Sequence, residues 1–555
     1  MNRLAYFILF FLIAFTVNIS AQLFNRAFEL KDPSALETGF GGIIAGVDFD
    51  ADGLPEIYVC NTNSVDRAYE LVPRIYKFEY NTATASYDSV WGAVAPVNLL
   101  DQQNTWPAFT YGDLDKDGKM EIYWAPVNYF TTIVNPARVL VYEYPGDGSD
   151  NMGISDGLGG FTPNAYTTIV TANSFNLRPL RFVIADPDGN GIDNLIFVDR
   201  AASDWHLGVL SVDDIPNNGG GLETWTVEFN GLADINLSGT GSKWDLAVAN
   251  NYIYLFDGNL TDGSKVWSVR YVGGNWETLP GQSGIAGGNS SFKGAEVVDL
   301  NNDGTEEILV GEWLNNTIGQ GAKVWLLQQD GDTLTSTEIA DLESLGAVRL
   351  QASSHGDLDA DGNLDFVIGN RYDVNNTANV PIFRVEYQGG DITNPANYVS
   401  SLLDSGYWNL HGDFETYVGN IDGDPEDEVL YTQGYTRGVS NDDPFPIVVL
   451  DNQFTPVSVE KETDVVPNQF FVDQNYPNPF NPSTQIKFGI TEAANIDLRI
   501  YDALGREVAV LISNEFLGAG SYNVKFDASN LASGTYVYRL TAGANTVSRK
   551  MQLLK

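Results

Sequence analysis

Apolar and β-branched residues along this chain come in short runs of strand length, separated by clusters of Asp, Asn, Gly and Pro. No stretch sustains apolar positions at i, i+3, i+4 and i+7, so the pattern predicts short strands joined by turns and an all-β fold. The start of the chain differs. Arg3 precedes an almost unbroken apolar run over residues 4–17, and Ile19, Ser20 and Ala21 follow, where small residues offer a cleavage point. That layout reads as a secretory signal peptide over residues 1–21. The run is short for a membrane span, and no later segment is apolar enough to cross a bilayer, so no transmembrane segment is expected in the mature chain.

The predicted strands group in fours. One group covers residues 107–112, 121–124, 138–144 and 166–171; another covers 348–355, 366–369, 381–387 and 398–403. Between the first and second strand of each group lies a loop of the form D-x-D-x-D-G-x-x-[D/E]. Intact copies carry Asp48, Asp50, Asp52, Gly53 and Glu56; Asp113, Asp115, Asp117, Gly118 and Glu121; Asp299, Asn301, Asp303, Gly304 and Glu307; and Asp357, Asp359, Asp361, Gly362 and Asp365. A further copy keeps the oxygens of Asn420, Asp422, Asp424 and Glu428 but has Pro425 in place of glycine. Another begins with Asp186, Asp188, Asn190 and Gly191 and ends on the amide of Asn194. In the last, Asp234, Asn236 and Ser238 begin correctly, but the loop runs three residues long before Asp245. Seven first positions about 60 residues apart define a repeat architecture. Four-stranded units predict a seven-bladed β-propeller over residues 22–460; an open solenoid would use shorter repeats and polar caps. The seventh unit is expected to supply its own outer strands over 446–450 and 456–460.

Side chains one, three and five of such a loop turn towards one point, and the glycine at six permits the sharp turn. The backbone carbonyl at seven and the carboxylate at nine can complete an oxygen cage. Leu54, Lys119, Thr305, Asn363 and Glu426 would provide those carbonyls. Hard oxygen ligands suit Ca2+ better than zinc or copper. An EF-hand would need Glu at position twelve, where this chain has Val59, Trp124, Val310 and Ile368. Plain acidic turns are the bland alternative. Electrostatics opposes it, because two carboxylates ~4 Å apart repel by ~4 kcal/mol at an effective dielectric of ~20. Several structural Ca2+ sites are therefore expected, with Asp186, Asp188 and Asn190 forming a less complete set.

These loops and their following strands, as at residues 365–370, resemble FG-GAP/VCBS repeats of the type found in the integrin α-subunit propeller. The resemblance spans roughly residues 40–455. It implies that each ion sits in a hairpin joining two strands of a blade and is structural. The FG-GAP flanking motif is poorly kept, so a VCBS-type bacterial propeller is the nearer comparison.

The texture changes after Glu460. Residues 461–475 read as a linker, and Tyr476, Pro477, Asn478, Pro479 and Phe480 open a module over 476–555. Its strands are predicted at 485–489, 496–501, 508–511, 522–526 and 535–540, enough for a small β-sandwich. The opening motif resembles the C-terminal sorting domain of type IX secretion substrates in Bacteroidota and related bacteria. Ile500, Tyr501 and Asp502, then Gly505, Arg506 and Glu507, then Ser533 to Tyr536, and the terminal residues 550–555 carry the resemblance further. It implies export through the type IX machinery, then attachment to the cell surface or release.

Charge and rare residues narrow the function. A formal net charge of −43 would repel nucleic acid. Cys60, the only cysteine, excludes an intramolecular disulfide and reads as a buried thiol. His206, His355 and His411 show no zinc spacing, and no G-x-S-x-G elbow is present. His355 reads as a hydrogen-bonded residue at a strand end. Trp205, Trp225, Trp276, Trp313 and Trp408 could stack on sugars, although most Trp in a propeller pack between blades. With no reactive group evident, the leading expectation is a binding or adhesion protein for an extracellular glycan or protein. A calcium-dependent polysaccharide lyase or hydrolase is the alternative, and a purely structural partner in a surface assembly is a third.

Overall fold

The computed structural model describes residues 24–555 except 32, 34–38, 63–71, 82–83, 85, 97–106, 127–136, 170–176, 200–204, 217–222, 232–242, 258–265, 280–284, 289, 316–320, 372–379, 407–409, 423–425, 436–445, 452–458, 464–468, 492–493, 502–506, 518–519, 529–532 and 543–544. The fold is all-β. The expected signal peptide, Asp424, Trp408 and the start of the fourth loop lie outside the described residues.

Among the described residues, seven four-stranded antiparallel sheets precede the C-terminal module. The sixth shows the common order: Leu350–Gly356, Asp365–Asn370, Ile382–Tyr387 and Tyr398–Asp404, each paired with the next. Second strands are covered on both faces by neighbouring sheets, which is why they read as unbroken runs instead of alternating. Every residue of Glu56–Thr62, Glu121–Ala125, Asn194–Asp199 and Asp365–Asn370 is buried. Outer strands such as Tyr398–Asp404 are half-exposed.

The first strands line the inside of a ring. Gly39–Val47 packs on Ala108–Gly112, and the contacts continue through Pro179–Ala185, Lys243–Ala249, Ser290–Val298, Leu350–Gly356 and Leu410–Gly419 back to Gly39–Val47. The sheets share no central core. Apolar clusters lie instead at each junction between neighbouring sheets, for example Leu326, Ile339 and Leu350 with Phe366 and Phe383 between the fifth and sixth, or Ile196, Leu207 and Phe229 with Leu246 and Leu255 between the third and fourth. Close approach at these junctions requires glycine. A Cβ on Gly356 would meet Val418 Cγ1 at 2.4 Å, and one on Gly112 would meet Ile184 Cδ1 at 2.6 Å. Cys60 is buried in the junction of the first and second sheets, where burial pushes its thiol well up.

Ring closure differs from the expectation. Ile447–Asp451 is the third strand of the seventh sheet, and its fourth strand is Asn25–Leu30 from the other end of the chain, running from Asn25 opposite Asp451 to Leu30 opposite Ile447. The described part of residues 456–460, Val459 and Glu460, does not complete this sheet, because Val459–Thr463 pairs elsewhere. The outer edge of the seventh unit is thus covered by a strand from the start of the chain. A bidentate ion pair fixes it: Arg26 Nε lies 2.6 Å from Asp404 Oδ2 and Nη2 lies 2.9 Å from Oδ1. Burial opposes charge on Asp404, yet Arg26, the Gly406 N–H and Tyr431 hold its carboxyl below its usual range.

The C-terminal module is a sandwich of two sheets. Val459–Thr463, Gly520–Asp527, Ser483–Ile490 and Phe471–Val472 form one; Glu507–Leu517, Ala494–Tyr501, Gly534–Ala542 and Asn545–Leu553 form the other. Ile486, Phe488, Val524, Leu498, Tyr538 and Leu553 fill the space between. The stretch read as a linker over 461–475 therefore contributes strand residues to this module. Its Val459–Thr463 strand has an alternating but mostly polar sequence, and pairing with Gly520–Asp527 makes it a strand.

The closing strand generates a test. Removing residues 24–31 takes away Phe28 and Leu30 and leaves Ile447–Asp451 with an open edge, and each fully buried apolar side chain is worth ~1.5–3 kcal/mol. The truncated protein is expected to melt several degrees lower and to aggregate; an unchanged melting curve would show that closure does not depend on this strand.

Candidate metal centres and the central channel

The Asp loops share one backbone. The N–H at position six donates to the first carboxylate in Gly53→Asp48 (3.1 Å), Gly118→Asp113 (3.0 Å), Gly191→Asp186 (2.7 Å), Gly304→Asp299 (2.8 Å) and Gly362→Asp357 (2.9 Å). The N–H at position seven, on Leu54, Lys119, Ile192, Thr305 and Asn363, donates to the side-chain oxygen at position five. The ninth side chain reaches back to the second residue: Phe49 N to Glu56 is 2.9 Å, Leu114 N to Glu121 is 3.1 Å, Leu300 N to Glu307 is 3.1 Å, Leu358 N to Asp365 is 2.8 Å and Ile421 N to Glu428 is 2.7 Å. Positive φ values between 83° and 89° at Gly53, Gly118, Gly191, Gly304 and Gly362 explain the glycine. Nothing lies within 4 Å of a Cβ at any of them, so the requirement is backbone conformation and not space.

This backbone gathers the carboxylates. One oxygen each from Asp113, Asp115, Asp117 and Glu121 lie within 4.8 Å of one another, and the same holds for Asp48, Asp50 and Glu56 and for Asp357, Asp359 and Asp361. Among the described residues the second loop gathers the most carboxylates. Asp113 Oδ1 and Glu121 Oε1 are buried and accept no hydrogen bond. Burial, with Asp115 and Asp113 adding to it, pushes Glu121 up to about 9, against the opposing hydrogen bonds from Tyr123 and Leu114. Four converging oxygens with two left unpaired fit a hard divalent ion. In the fifth loop Asp299, Asp303 and Glu307 do not converge to the same degree, and Asn301 Nδ2 donates to Asp303 Oδ2 at 2.9 Å. In the third loop the Asp186, Asp188 and Asn190 turn forms, and Asn194 places a buried amide oxygen at position nine. Asp422, Glu426 and Glu428 surround the seventh loop, which is half-buried to buried. Asp245 does not belong to the fourth loop; it sits in the innermost strand Lys243–Ala249 and faces the channel.

Two loops carry a cation of their own that loop spacing did not reveal. Lys77 Nζ, fully buried on the third strand of the first sheet, lies 2.7 Å from Asp50, 2.9 Å from Glu56, 2.8 Å from Glu79 and 3.0 Å from Asp150. Burial alone would discharge this ammonium; the surrounding carboxylates hold it protonated. Glu56 is nonetheless pushed up to about 7, chiefly by burial. In the sixth sheet Arg384 takes the same place, pairing with Asp365, with Asp359 at 2.8 Å and with Glu386 at 3.0 Å. Lys77 pairs in register with Tyr58, two residues beyond Glu56, and Arg384 with Val367, two beyond Asp365. The second loop has a weaker counterpart in Lys119, whose Nζ touches Asp117 at 2.6 Å and Glu143 at 3.1 Å.

Inside the ring, a cavity of about 240 Å³ is lined by all seven first strands, through Gly42, Phe109, Arg181, Trp244, Lys293, Ser353 and Glu415 among others. Arg181 spans it, donating to Asp245 Oδ1 (2.8 Å) and the Ala295 carbonyl (2.8 Å), with Glu296 at 3.3 Å. Asp245 Oδ2 also accepts from Gly294 N at 2.7 Å. Glu296 accepts from Ser353 at 3.0 Å and lies 3.2 Å from His355 Nδ1. Burial opposes both charges of that last pair, yet Glu296 is held below its usual range by His355 and Arg181, and His355 is raised by Glu296. Burial pushes Glu415 up to about 8 while Arg181 pulls against it. His355 is thus a hydrogen-bonded residue at a strand end, as its position before the sixth loop implies. His206 is buried and pushed down to about 4, by burial first and then by Lys243. Trp205 is buried against Phe197, Trp225 donates to Glu223 at 3.3 Å, and Trp276 packs on Phe229 and Tyr271. Among the four described candidates only Trp313 reaches the channel wall, through Trp244 and Lys293.

Residues 48–124, spanning the first two Asp loops, match the FG-GAP-like repeat, and residues 474–553 match the secretion system C-terminal sorting domain. The chain thus carries an FG-GAP-like repeat over residues 48–124 and a C-terminal sorting domain of the type IX pathway, and that domain marks it for export. No curated protein matches it. Among solved structures it is similar to the NanB sialidase of Streptococcus pneumoniae (10% identity, 77% of this chain and 70% of that one, TM-score 0.38). It is also similar to a periplasmic gluconolactonase of Pseudomonas aeruginosa (14%, 67% and 86%, TM-score 0.36) and an exo-β-1,3-galactanase of Clostridium thermocellum (13%, 75% and 93%, TM-score 0.30).

The buried Lys77 cluster generates a prediction of its own. Lys77→Met removes the cation and leaves Asp50, Glu56 and Glu79 facing one another, a change that costs ~3–5 kcal/mol for a broken buried ion pair. In EDTA the variant is expected to unfold at markedly lower urea concentration than the parent. Equal midpoints would mean the ammonium contributes nothing to the fold.

Proposed function

We propose that this exported protein is a seven-bladed β-propeller stapled by Ca2+ at its Asp loops, which acts outside the cell as a binding protein for a glycan or protein ligand, either held at the surface or released. The observation that carries the reading is the union of the closed ring, carboxylate cages at the hairpins, and a polar, aromatic channel at the centre. Asp113, Asp115, Asp117 and Glu121, with the Lys119 carbonyl, would hold an ion most completely. The first, fifth, sixth and seventh loops would hold further ions, and Asp186, Asp188 and Asn190 a weaker one. A bound ion would replace repulsion between carboxylates with attraction and so lock each hairpin. The rigid ring then presents its two rims and its channel as binding surfaces, and the sorting domain delivers them to the cell exterior.

One observation favours a second reading, a polysaccharide hydrolase or lyase. Glu415, pushed up to about 8, would carry a proton at neutral pH while Glu296 in the same channel is ionised, which is the pairing acid–base chemistry needs. A panel of extracellular polysaccharides separates the two. Binding without release of reducing or unsaturated ends supports the binding protein; measurable turnover abolished by Glu415→Gln would establish the enzyme instead.

The metal reading has two checks. Thermal unfolding in millimolar calcium is expected to show a large upward shift relative to EDTA, since each site contributes ~2.7 kcal/mol when free calcium is ~100 times its dissociation constant. Asp113→Asn combined with Glu121→Gln should remove part of that shift, and no shift in the parent would refute the metal sites. The pH dependence has a defined sign. Glu121 is raised in the folded protein to about 9 from an ordinary 4.5, so its contribution to stability is complete below pH 4.5 and lost as pH rises through 9. In EDTA the melting temperature should therefore fall between pH 6 and 9, and calcium, which favours the ionised carboxylates, should flatten the slope. A melting temperature that rises over this range in EDTA would contradict the assignment.

A further inference from the structure

At one mouth of the channel the chain places cations where its composition makes them scarce. Asp and Glu outnumber Lys and Arg by 73 to 30, yet Lys293, Arg349 and Arg371 converge on the single indole of Trp313. Lys293 Nζ lies 5.3 Å from the ring centroid, Arg349 Cζ 5.7 Å and Arg371 Cζ 5.3 Å. Trp244 meets Trp313 edge-on, with centroids 5.6 Å apart and planes at 63°, and Lys293 is 5.9 Å from Trp244 as well. Three neighbouring sheets build the cluster: the fourth gives Trp244, the fifth Lys293 and Trp313, and the sixth the two arginines.

Its place in the ring follows from strand direction. Lys293 lies near the start of Ser290–Val298, the strand that ends in the Asp299 loop, and Trp313 near the far end of Glu307–Asn315. Arg349 precedes Leu350–Gly356 and Arg371 follows Asp365–Asn370. All four therefore sit at the rim opposite the Asp loops. Trp313 is buried, while Trp244, Lys293, Arg349 and Arg371 are half-buried, and Trp244 and Lys293 line the cavity itself.

Lys293 Nζ donates to Gln351 Oε1 at 3.1 Å, and packing Arg349 beside it round the same ring is unfavourable unless something answers that charge. Within the described residues the Arg349 side chain has no carboxylate within 4 Å, and its partner is the Trp313 face. The nearby buried Glu312 does not answer it: its oxygens accept from the Ser290 hydroxyl, from Asn315 Nδ2 at 3.0 Å and from Ala322 N at 3.2 Å. Cation–π contact with Trp313 holds the guanidinium in place and leaves its N–H edges able to bind an anion. Beside it, the half-buried Trp244 offers an aromatic face to the apolar side of a sugar ring.

Resting on the binding reading above, we propose that this mouth is a subsite for an anionic sugar, with the ring against Trp244 and the carboxylate or sulfate received by Lys293 and Arg349. The negative charge of the whole chain gives a long polyanion no general attraction, so the subsite takes a short or terminal segment of an acidic glycan. Arg371 adds to the local positive potential.

Calorimetry of the full chain in millimolar calcium tests the site with a trimeric oligogalacturonate, a sulfated disaccharide and a neutral galactotriose. At least one anionic sugar is expected to bind at least tenfold more tightly than the neutral one, and the carboxylated and sulfated arms identify the anion. Arg349→Gln and Lys293→Gln should each weaken that binding about tenfold without lowering the melting temperature. Trp244→Ala should weaken it while leaving the salt dependence of the residual binding unchanged. Equal affinity for the neutral sugar, or unchanged affinity in both Gln variants, would overturn the subsite. If either of those outcomes came with firm capture of some other glycan or envelope protein, the binding function would stand and only this site would fall.

Discussion

Carboxylates crowded into a turn repel one another, and much of this structure can be understood as an answer to that repulsion. The Asp loops fix their first and ninth side chains by spending one oxygen of each on a backbone N–H, as Asp48 does with Gly53 and Glu56 with Phe49, and in the first, second and sixth loops three or four carboxylates converge as a result. The backbone is therefore organised before any ion arrives, but the charges are left facing inward. The sheets answer them differently. In the first and sixth a Lys77 or Arg384 from the third strand reaches the third and ninth carboxylates from behind. The second loop instead keeps two buried oxygens without a hydrogen bond. On physical grounds the loops differ in how much an external cation can add: more where the internal cation touches a single loop carboxylate, as Lys119 does at Asp117, and least where Lys77 already neutralises the cluster.

The same loops matter because the ring has no central core to fall back on. Its apolar clusters lie at the junctions between sheets, so each sheet is held by two neighbours and by the hairpins at its rim. Glycines at the ends of inner strands, Gly112 and Gly356 among them, let adjacent sheets approach closely beside the loops that follow at Asp113 and Asp357. A rim hairpin that opens would disturb the neighbouring junction as well. Asn25–Leu30 extends that logic to the whole ring, since the seventh sheet is complete only when the chain's beginning pairs with Ile447–Asp451.

What could be read from the sequence was what is local. The Asp spacing, the positive-φ glycine at position six and the Tyr476 to Phe480 motif each occupy a dozen residues or fewer, and each lies where expected. Contacts made between repeats were not legible. Lys77 and Asp150 meet across 73 positions, and Arg181 and Glu296 across 115; in sequence each is an ordinary charged residue in or beside a strand. Two strands not foreseen in pattern, Asn25–Leu30 and Val459–Thr463, owe their pairing to partners hundreds and tens of residues away. Asp245 illustrates the same limit: it follows an incomplete loop and invites assignment to it, yet its oxygens are taken by Arg181 and the backbone of the fifth sheet.

The charge of the molecule is divided between the two ends of its channel. The Asp loops follow the ends of the innermost strands, so they gather at one rim and carry a large share of the acidic surface. Trp313 with Lys293, Arg349 and Arg371 lies at the other, and between them the Arg181, Asp245, Glu296 and His355 network crosses the channel in alternating sign. A cation bound at the acidic rim would make that rim less negative, and the field along the channel would change with it. Because exposed charges farther apart than ~10 Å are largely screened at 0.1 M salt, the basic mouth would feel the change only through the low-dielectric wall of the ring. The two rims are therefore chemically distinct surfaces on one frame, one acidic and one basic.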